Sequence, residues 1–275
     1  MLEKITFVNH LGESVRFGEE DIFVNANDLR DYRWEYAQKN NKITFFERNI
    51  TEKELPVLIV CADEEQGVLL KNRLFEIMEK DVLAMKYGKI VIGDYHLNCY
   101  VMASQKSQYL ISKGYLSITL TLVTEYPYWI KESKWSFGVG IQPLGGKNLD
   151  YPYDYKFDYY SGSEGQATLM NESINAVNFE ITVYGKCKSP IIVINSVLYT
   201  VDAEIAAGEL LKINSLTKKI YKIGYDGTIT NLFNMRGRQD YIFTKIEPGR
   251  NVVLCDMSFK FEIVLIEERS EPKWI

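Results

Sequence analysis

The sequence predicts a mainly β protein in two parts: an α+β N-terminal domain with one helix on a β-sheet, and a C-terminal sandwich of packed sheets. Three observations carry this. Apolar and polar residues alternate strictly at several places in both halves. Only one segment repeats its apolar residues at helical spacing. Tyr (19) and Phe (13) are abundant while Pro (7) is sparse, and aromatic side chains favour pleated, half-buried surfaces.

The alternation is plainest in Leu116-Ser117-Ile118-Thr119-Leu120-Thr121-Leu122, where every apolar side chain falls on one face of a strand. The same period of two appears in Phe179, Ile181 and Val183, and in Phe259, Phe261, Ile263 and Leu265. Further strands are expected at Ile43–Phe46, Leu55–Cys61, Lys89–Ile92, Tyr95–Met102, Ile191–Ile194 and Val252–Cys255, each bounded by Gly, Asn, Asp or Pro. The helix is read from Leu70, Leu74, Ile77 and Met78, with Lys71, Asn72, Glu76 and Glu79 on the other side. Strands on both sides of it make the N-terminal part α+β. In the C-terminal part, Asp226-Gly227 and Pro248-Gly249 separate strands of a two-sheet sandwich.

At 275 residues the chain suits two domains. The boundary falls in Gly138–Gly165, where glycine-rich stretches surround the aromatic-acidic run Asp150-Tyr151-Pro152-Tyr153-Asp154-Tyr155. The expected partition is therefore 1–137, a linker at 138–165, and 166–275. Tyrosines at this density are expected to pack rather than leave the linker loose.

Composition excludes several classes. A net charge of −5 and the absence of a basic run argue against sequence-specific nucleic-acid binding. The longest apolar stretch, Leu55 to Ala62, is far short of the roughly 20 residues of a membrane span, and the N-terminus lacks a signal-peptide layout. Cys61, Cys99, Cys187 and Cys255 are widely spaced and read as small buried side chains of a protein made in a reducing cytoplasm.

Catalytic motifs fail at named positions. His10 and His96 are the only histidines. His96 stands three residues from Cys99 on one strand, so the two side chains point to opposite faces. Gly145-Gly146-Lys147-Asn148 has the Gly-Lys of a phosphate-binding loop, but Ile141 replaces its first Gly and Asn148 its Ser or Thr. Gly138-Val139-Gly140 lacks a third glycine, and Gly162-Ser163-Glu164-Gly165 is one residue short of a nucleophile elbow. Asp150, Asp154 and Asp158 are spaced by four, not by the two of a calcium loop, and read as a solvated acidic linker. No enzyme activity, cofactor or metal is expected.

One segment reads as a hairpin: Tyr32, Trp34 and Tyr36 alternate before Asn40-Asn41, and Ile43, Phe45 and Glu47 follow. It either folds onto its own domain or projects as an arm bearing Trp34, Tyr36, Phe45 and Phe46.

Several segments, in order along the chain, resemble the distal tail proteins of siphophages and the matching baseplate hubs of phage-derived particles. Tyr126-Pro127-Tyr128-Trp129 is similar to the exit of that family's first domain, and Tyr151-Pro152-Tyr153-Asp154 to its connection. Asn171-Glu172-Ser173 with Phe179–Gly185 resembles the opening of its second domain. Gly208–Ser215 is similar to Gly-Glu-x-Leu-x-Ile-Asp-Thr, with Asn214 and Ser215 in place of Asp and Thr, and Ile246–Val253 to Leu-x-Pro-Gly-x-Asn. The resemblance implies a split-barrel first domain and a galectin-like second. It implies a structural role: a ring, six-fold in the family, at the tail tip of a virion, made in the host bacterial cytoplasm. That ring joins the tube to the receptor-binding apparatus and leaves a channel for DNA. Implied partners are further copies of the chain, the tail tube protein, the tail-associated hub and a receptor-binding protein. The alternative function is a carbohydrate- or receptor-binding tail component. Because Tyr151–Ile266 contains no Trp and no His, the second domain is expected to serve for docking rather than for sugar binding.

Overall fold

The computed structural model describes residues 4–19, 21–110, 114–138, 166–255 and 258–274. It is mainly β with one long helix, and it divides into two compact units: Met1–Lys131 with Glu268–Ile275, and Glu132–Glu267. The expected linker lies, from residue 139 to 165, outside the described residues.

The first unit contains β1 (Ile5–Val8), β2 (Ser14–Phe17), β3 (Ile22–Val24), β4 (Glu35–Lys39), β5 (Lys42–Glu47), β6 (Thr51–Val60), α1 (Glu64–Ala84), β7 (Gly88–Ile92), β8 (Tyr95–Leu110) and β9 (Tyr115–Thr124). Its strands run in the order β2-β1-β7-β8-β9-β6-β3, all antiparallel. The 16-residue β8 serves both halves: Tyr95–Cys99 pairs with β7, and Tyr100–Leu110 with β9. Register shifts at Val101/Ala103 and Lys106/Gln108 mark bulges, which bend a strand and increase its twist. One strand can thus turn from one half-sheet into the next and enclose a common core of Phe7, Val15, Leu55, Ile90, Leu97, Leu120 and Trp129.

Helix α1 closes that core with Leu74, Ile77 and Met78. Asp63 caps its N-terminus by accepting the Gln66 amide at 2.8 Å, while Gln66 Oε1 accepts the Ala62 amide at 2.7 Å. This reciprocal capping, with Glu64 and Glu65 in the first turn, satisfies donors that a helix start leaves free. Met85 in the left-handed conformation (φ 52°) ends the helix.

β10 (Trp129–Phe137) begins in the first unit and ends in the second. The second unit adds β11 (Gln166–Asn171), β12 (Asn178–Tyr184), β13 (Cys187–Lys188), β14 (Ile191–Ile194), β15 (Val197–Thr200), β16 (Glu204–Ile205), β17 (Leu210–Asn214), β18 (Lys219–Ile223), β19 (Ile229–Asn231), β20 (Gly249–Cys255) and β21 (Lys260–Arg269). Within it, β19-β18-β17-β12-β21-β10 form one sheet and β11-β20-β14-β15 the other. One core joins them: Phe179, Ile181 and Val183 from β12 meet Ile192, Tyr199 and Val253 from the facing sheet, with Phe179 and Tyr199 edge-to-face at 5.3 Å. The expected sandwich is present.

Three residues that carry the family resemblance are buried hydrogen-bonding clamps in this unit. Asn171 donates to the Ile246 carbonyl (3.0 Å) and accepts the Ser173 amide (2.9 Å). Ser215, fully buried, accepts the Phe179 amide at 2.7 Å. Asn251 donates to the carbonyls of Glu247 and Gly249 at 2.9 Å. A buried polar group left unpaired costs about 1–3 kcal/mol, so these pairings help to hold the turns in which the motifs stand.

Residues 132–137 belong to the second unit because Phe137 stacks on Phe261 at 4.9 Å and Lys134 pairs with Glu262 at 2.8 Å. Residues 268–275 belong to the first, where the Arg30 guanidinium lies 3.9 Å from the Trp274 ring centroid and donates to the Pro272 carbonyl at 2.7 Å.

Candidate assembly site

The residues with the plainest unmet surface chemistry form the hairpin β4–β5. Asn40 and Asn41 both adopt positive φ (51° and 56°), as the two central residues of a type I′ turn must, and Asn tolerates that region better than most. The register pairs Glu35 with Glu47 and Tyr36 with Phe46, then shifts between Ala37 and Gln38. Thr44 sits at the shift and donates its hydroxyl to the Ala37 carbonyl at 3.1 Å.

β4 and β5 pair only with each other among the described strands. Tyr36, Ile43, Phe45 and Phe46 are each more than half exposed. An isolated two-stranded hairpin is marginally stable in water, and apolar side chains exposed on neighbouring positions signal an interface. The side chains of this hairpin therefore have no cover within the described chain.

Its root, by contrast, is tightly organised. Trp34 stands just before β4 and meets Tyr128 edge-to-face at 6.1 Å, while Tyr126 lies 4.8 Å from Tyr128. Arg48, just after β5, has its guanidinium 4.9 Å from the Tyr128 ring centroid, 5.7 Å from Trp34 and 6.0 Å from Tyr32. Burial lowers the Arg48 pKa; Tyr128 and Tyr32 act weakly in the other direction. Its Nε and Nη1 are buried without a hydrogen-bond partner, so the aromatic faces supply the compensation. Below it, buried Lys53 donates to the carbonyls of Asp28 (2.7 Å) and Asp31 (2.6 Å), fixing the turn that leads into the hairpin.

Of the four residues singled out in the sequence, Tyr36, Phe45 and Phe46 lie on the arm and Trp34 lies at its root. Arg48 and Tyr128 escape a sequence reading because they meet only in the folded unit. The two histidines stand elsewhere. His10 pairs with buried Asp81. His96, half-buried, has its pKa pushed down to about 4 by burial and by Lys89, while burial pushes the Cys99 thiol up to about 12. Neutral imidazole and neutral thiol are the reverse of an activated thiolate pair. Among the described residues, no group of three or more His, Cys, Asp or Glu is placed to hold a metal ion, and no helix is long and apolar enough to cross a membrane.

A unit of antiparallel strands with one helix on its core, followed by a two-sheet sandwich, is a fold this chain shares with solved phage chains. The chain is similar to the Dit protein of phage SPP1, a crystal structure presented as a paradigm of the hub adsorption apparatus in phages infecting Gram-positive bacteria. Identity there is 9% over 96% of this chain and 98% of that one, with a TM-score of 0.59. It is also similar to a chain of the phage P2 baseplate in its activated conformation with Ca, at 14% identity over 99% and 100% of the two chains and a TM-score of 0.60. The same baseplate activated with Sr gives 14%, 99% and 100%, and 0.59. No protein-family profile matches the chain, and no curated protein matches it in sequence.

Proposed function

We propose that this chain is a structural distal tail protein, a baseplate hub that forms a ring at the tail tip and joins the tail tube to the tail-tip and receptor-binding apparatus. The observation that carries the reading is the likeness across both units: nearly the whole of this chain matches nearly the whole of hub and baseplate chains. A fold alone does not assign function; the uncovered arm supplies a physical reason for assembly. If the β4–β5 arm of each copy covers a surface on the next, the contact is head-to-tail, and such contacts generate rings when the rotation closes. In this account Tyr36, Phe45 and Phe46 make the contact, and Trp34 with Arg48 fixes the arm's root. The family resemblance supports a copy number of six, the usual one in that family, and a galectin-like sandwich that serves as a platform for partners.

The net charge of −5 fits a channel for DNA, because a lumen without concentrated positive charge does not retain phosphates. The account assigns the chain no catalytic step. Gold-labelled antibody against the chain, imaged on intact particles, tests the placement: label at the tail tip supports it, and label along the shaft, at the head, or absent from particles refutes it.

A further inference from the structure

We propose that the free edge of β19 and the cleft beside it bind an extended, acidic peptide segment of a partner protein. β19 ends its sheet and pairs only with β18 among the described strands. The bonds from the Leu232 amide to the Ile220 carbonyl and from the Gly224 amide to the Thr228 carbonyl, each 2.9 Å, fix which residues bond across the ladder. In an antiparallel pair, bonded positions alternate, so Thr230 faces β18. The amides and carbonyls of Ile229 and Asn231 face outward. That is a short row of main-chain groups for an added strand.

Beside this edge lies a cleft of about 490 Å³ lined by Lys218, Lys219, Ile220, Tyr221 and Phe233, with Ile229 and Asn231. Lys218, at φ 56°, holds its ammonium 5.4 Å from the Phe243 ring centroid and 5.6 Å from Tyr241. Phe233 stacks near Phe243 at 6.2 Å, which gives the cleft an aromatic wall. Among the described residues no carboxylate lines it. Two lysines thus border an apolar cleft in a chain of net charge −5, so the complementary ligand carries negative charge and apolar side chains.

A saccharide fits worse. A neutral saccharide needs several convergent hydrogen-bonding side chains, whereas beside the two lysines the polar side chains lining this cleft are Tyr221 and Asn231, and Asn231 Oδ1 already accepts the Phe233 amide at 2.8 Å. Main-chain pairing along β19 with acidic side chains at Lys218 and Lys219 uses every feature of the site. The proposal concerns the second unit alone and does not depend on ring formation.

A random seven-residue peptide library selected on the immobilised full-length chain tests it. The proposal expects acidic, hydrophobic peptides to be enriched. Their affinity, read by fluorescence anisotropy, should fall at least tenfold in Lys218→Glu/Lys219→Glu. It should also fall at least tenfold in Ile229→Pro, which removes an outward amide and leaves the bonds to β18 intact. Unchanged melting temperature shows that the variants fold. Enrichment without acidic bias, failure to enrich any peptide, or equal binding to both variants overturns the proposal. So does displacement of the peptides by polygalacturonate at the affinity of the peptides themselves, which would make the site one for anionic sugar.

Discussion

His10 and Asp81 hold each other across the first unit: Nδ1 of His10 lies 2.6 Å from Oδ1 of Asp81, and the His10 amide donates to the same oxygen at 2.8 Å. Asp81 is fully buried near the end of α1. The neighbouring Asn9 adds a bond to the Ile77 carbonyl at 3.2 Å, so the β1–β2 turn is fastened to the helix at two points. Removing Asp81 takes the acceptor from the part-buried His10 ring and amide, a loss that costs about 1–3 kcal/mol. Asp81→Ala is expected to lower the stability of the first unit by about 1–3 kcal/mol. Urea denaturation checks this, and a double-mutant cycle with His10→Ala should show coupling rather than additivity.

Gly88 is required by the same carboxylate. A Cβ there would lie 2.2 Å from Asp81 Oδ2, 2.8 Å from Phe7 Cζ and 2.9 Å from the Val8 carbonyl oxygen. The last is backbone and cannot yield cheaply. Gly88→Ala should therefore destabilise by about 1–3 kcal/mol, the range for overpacking, whereas Gly12→Ala meets no atom within 4 Å and loses only through its positive φ. Thermal melts of the two variants compare them directly.

Glu262 lends the second unit a pH dependence. Burial alone would raise its pKa, but bonds from Lys134 and Tyr184 and the charges of Lys134 and Lys260 prevail and lower it. Tyr184 donates at 2.5 Å and Lys134 at 2.8 Å. A carboxylate depressed in the folded state stabilises above its unfolded pKa of about 4.3, and that contribution is lost as pH falls through the folded pKa. Glu262→Gln is expected to melt below the wild type at neutral pH, with the gap closing as the pH drops below the ordinary carboxylate range. Melting temperature against pH for both proteins is the measurement.

Cys99 should be inert in the native protein. It is buried, and its thiol is held near 12, so the thiolate that thiol reagents require is scarce. Thiol titration should leave Cys99 unmodified until denaturant is added, as peptide mapping of the labelled protein would show.

Much of this fold was legible because burial follows a period of two. Leu116–Leu122 alternates in β9 as expected, and Phe179–Val183 and Phe259–Leu265 supply the sandwich core. The helix stripe Leu74, Ile77 and Met78 also faces inward. What escaped depends on contacts distant in sequence. β8 runs on past Met102 because bulges let it turn into the second half-sheet, and a bulge has no local signature there. The alternation of Tyr32, Trp34 and Tyr36 leaves open whether the hairpin folds onto its own domain or projects; Tyr36 and both phenylalanines are exposed because no described part of the chain covers them. The Arg48–Tyr128 and His10–Asp81 pairs join segments that only folding brings together.

Assembly through the arm is the central claim, and mass photometry of the purified wild type beside Phe45→Glu/Phe46→Glu tests it most directly. Both phenylalanines are exposed, so the substitutions should leave the monomer's stability within about 0.5 kcal/mol while placing charge in any contact the arm makes. The account predicts a wild-type species near 190 kDa, six copies of the 31.9 kDa chain, and a variant that stays at the mass of one copy with an unchanged melt. A variant that assembles like the wild type, or a wild type that remains a single copy at every concentration, would contradict it.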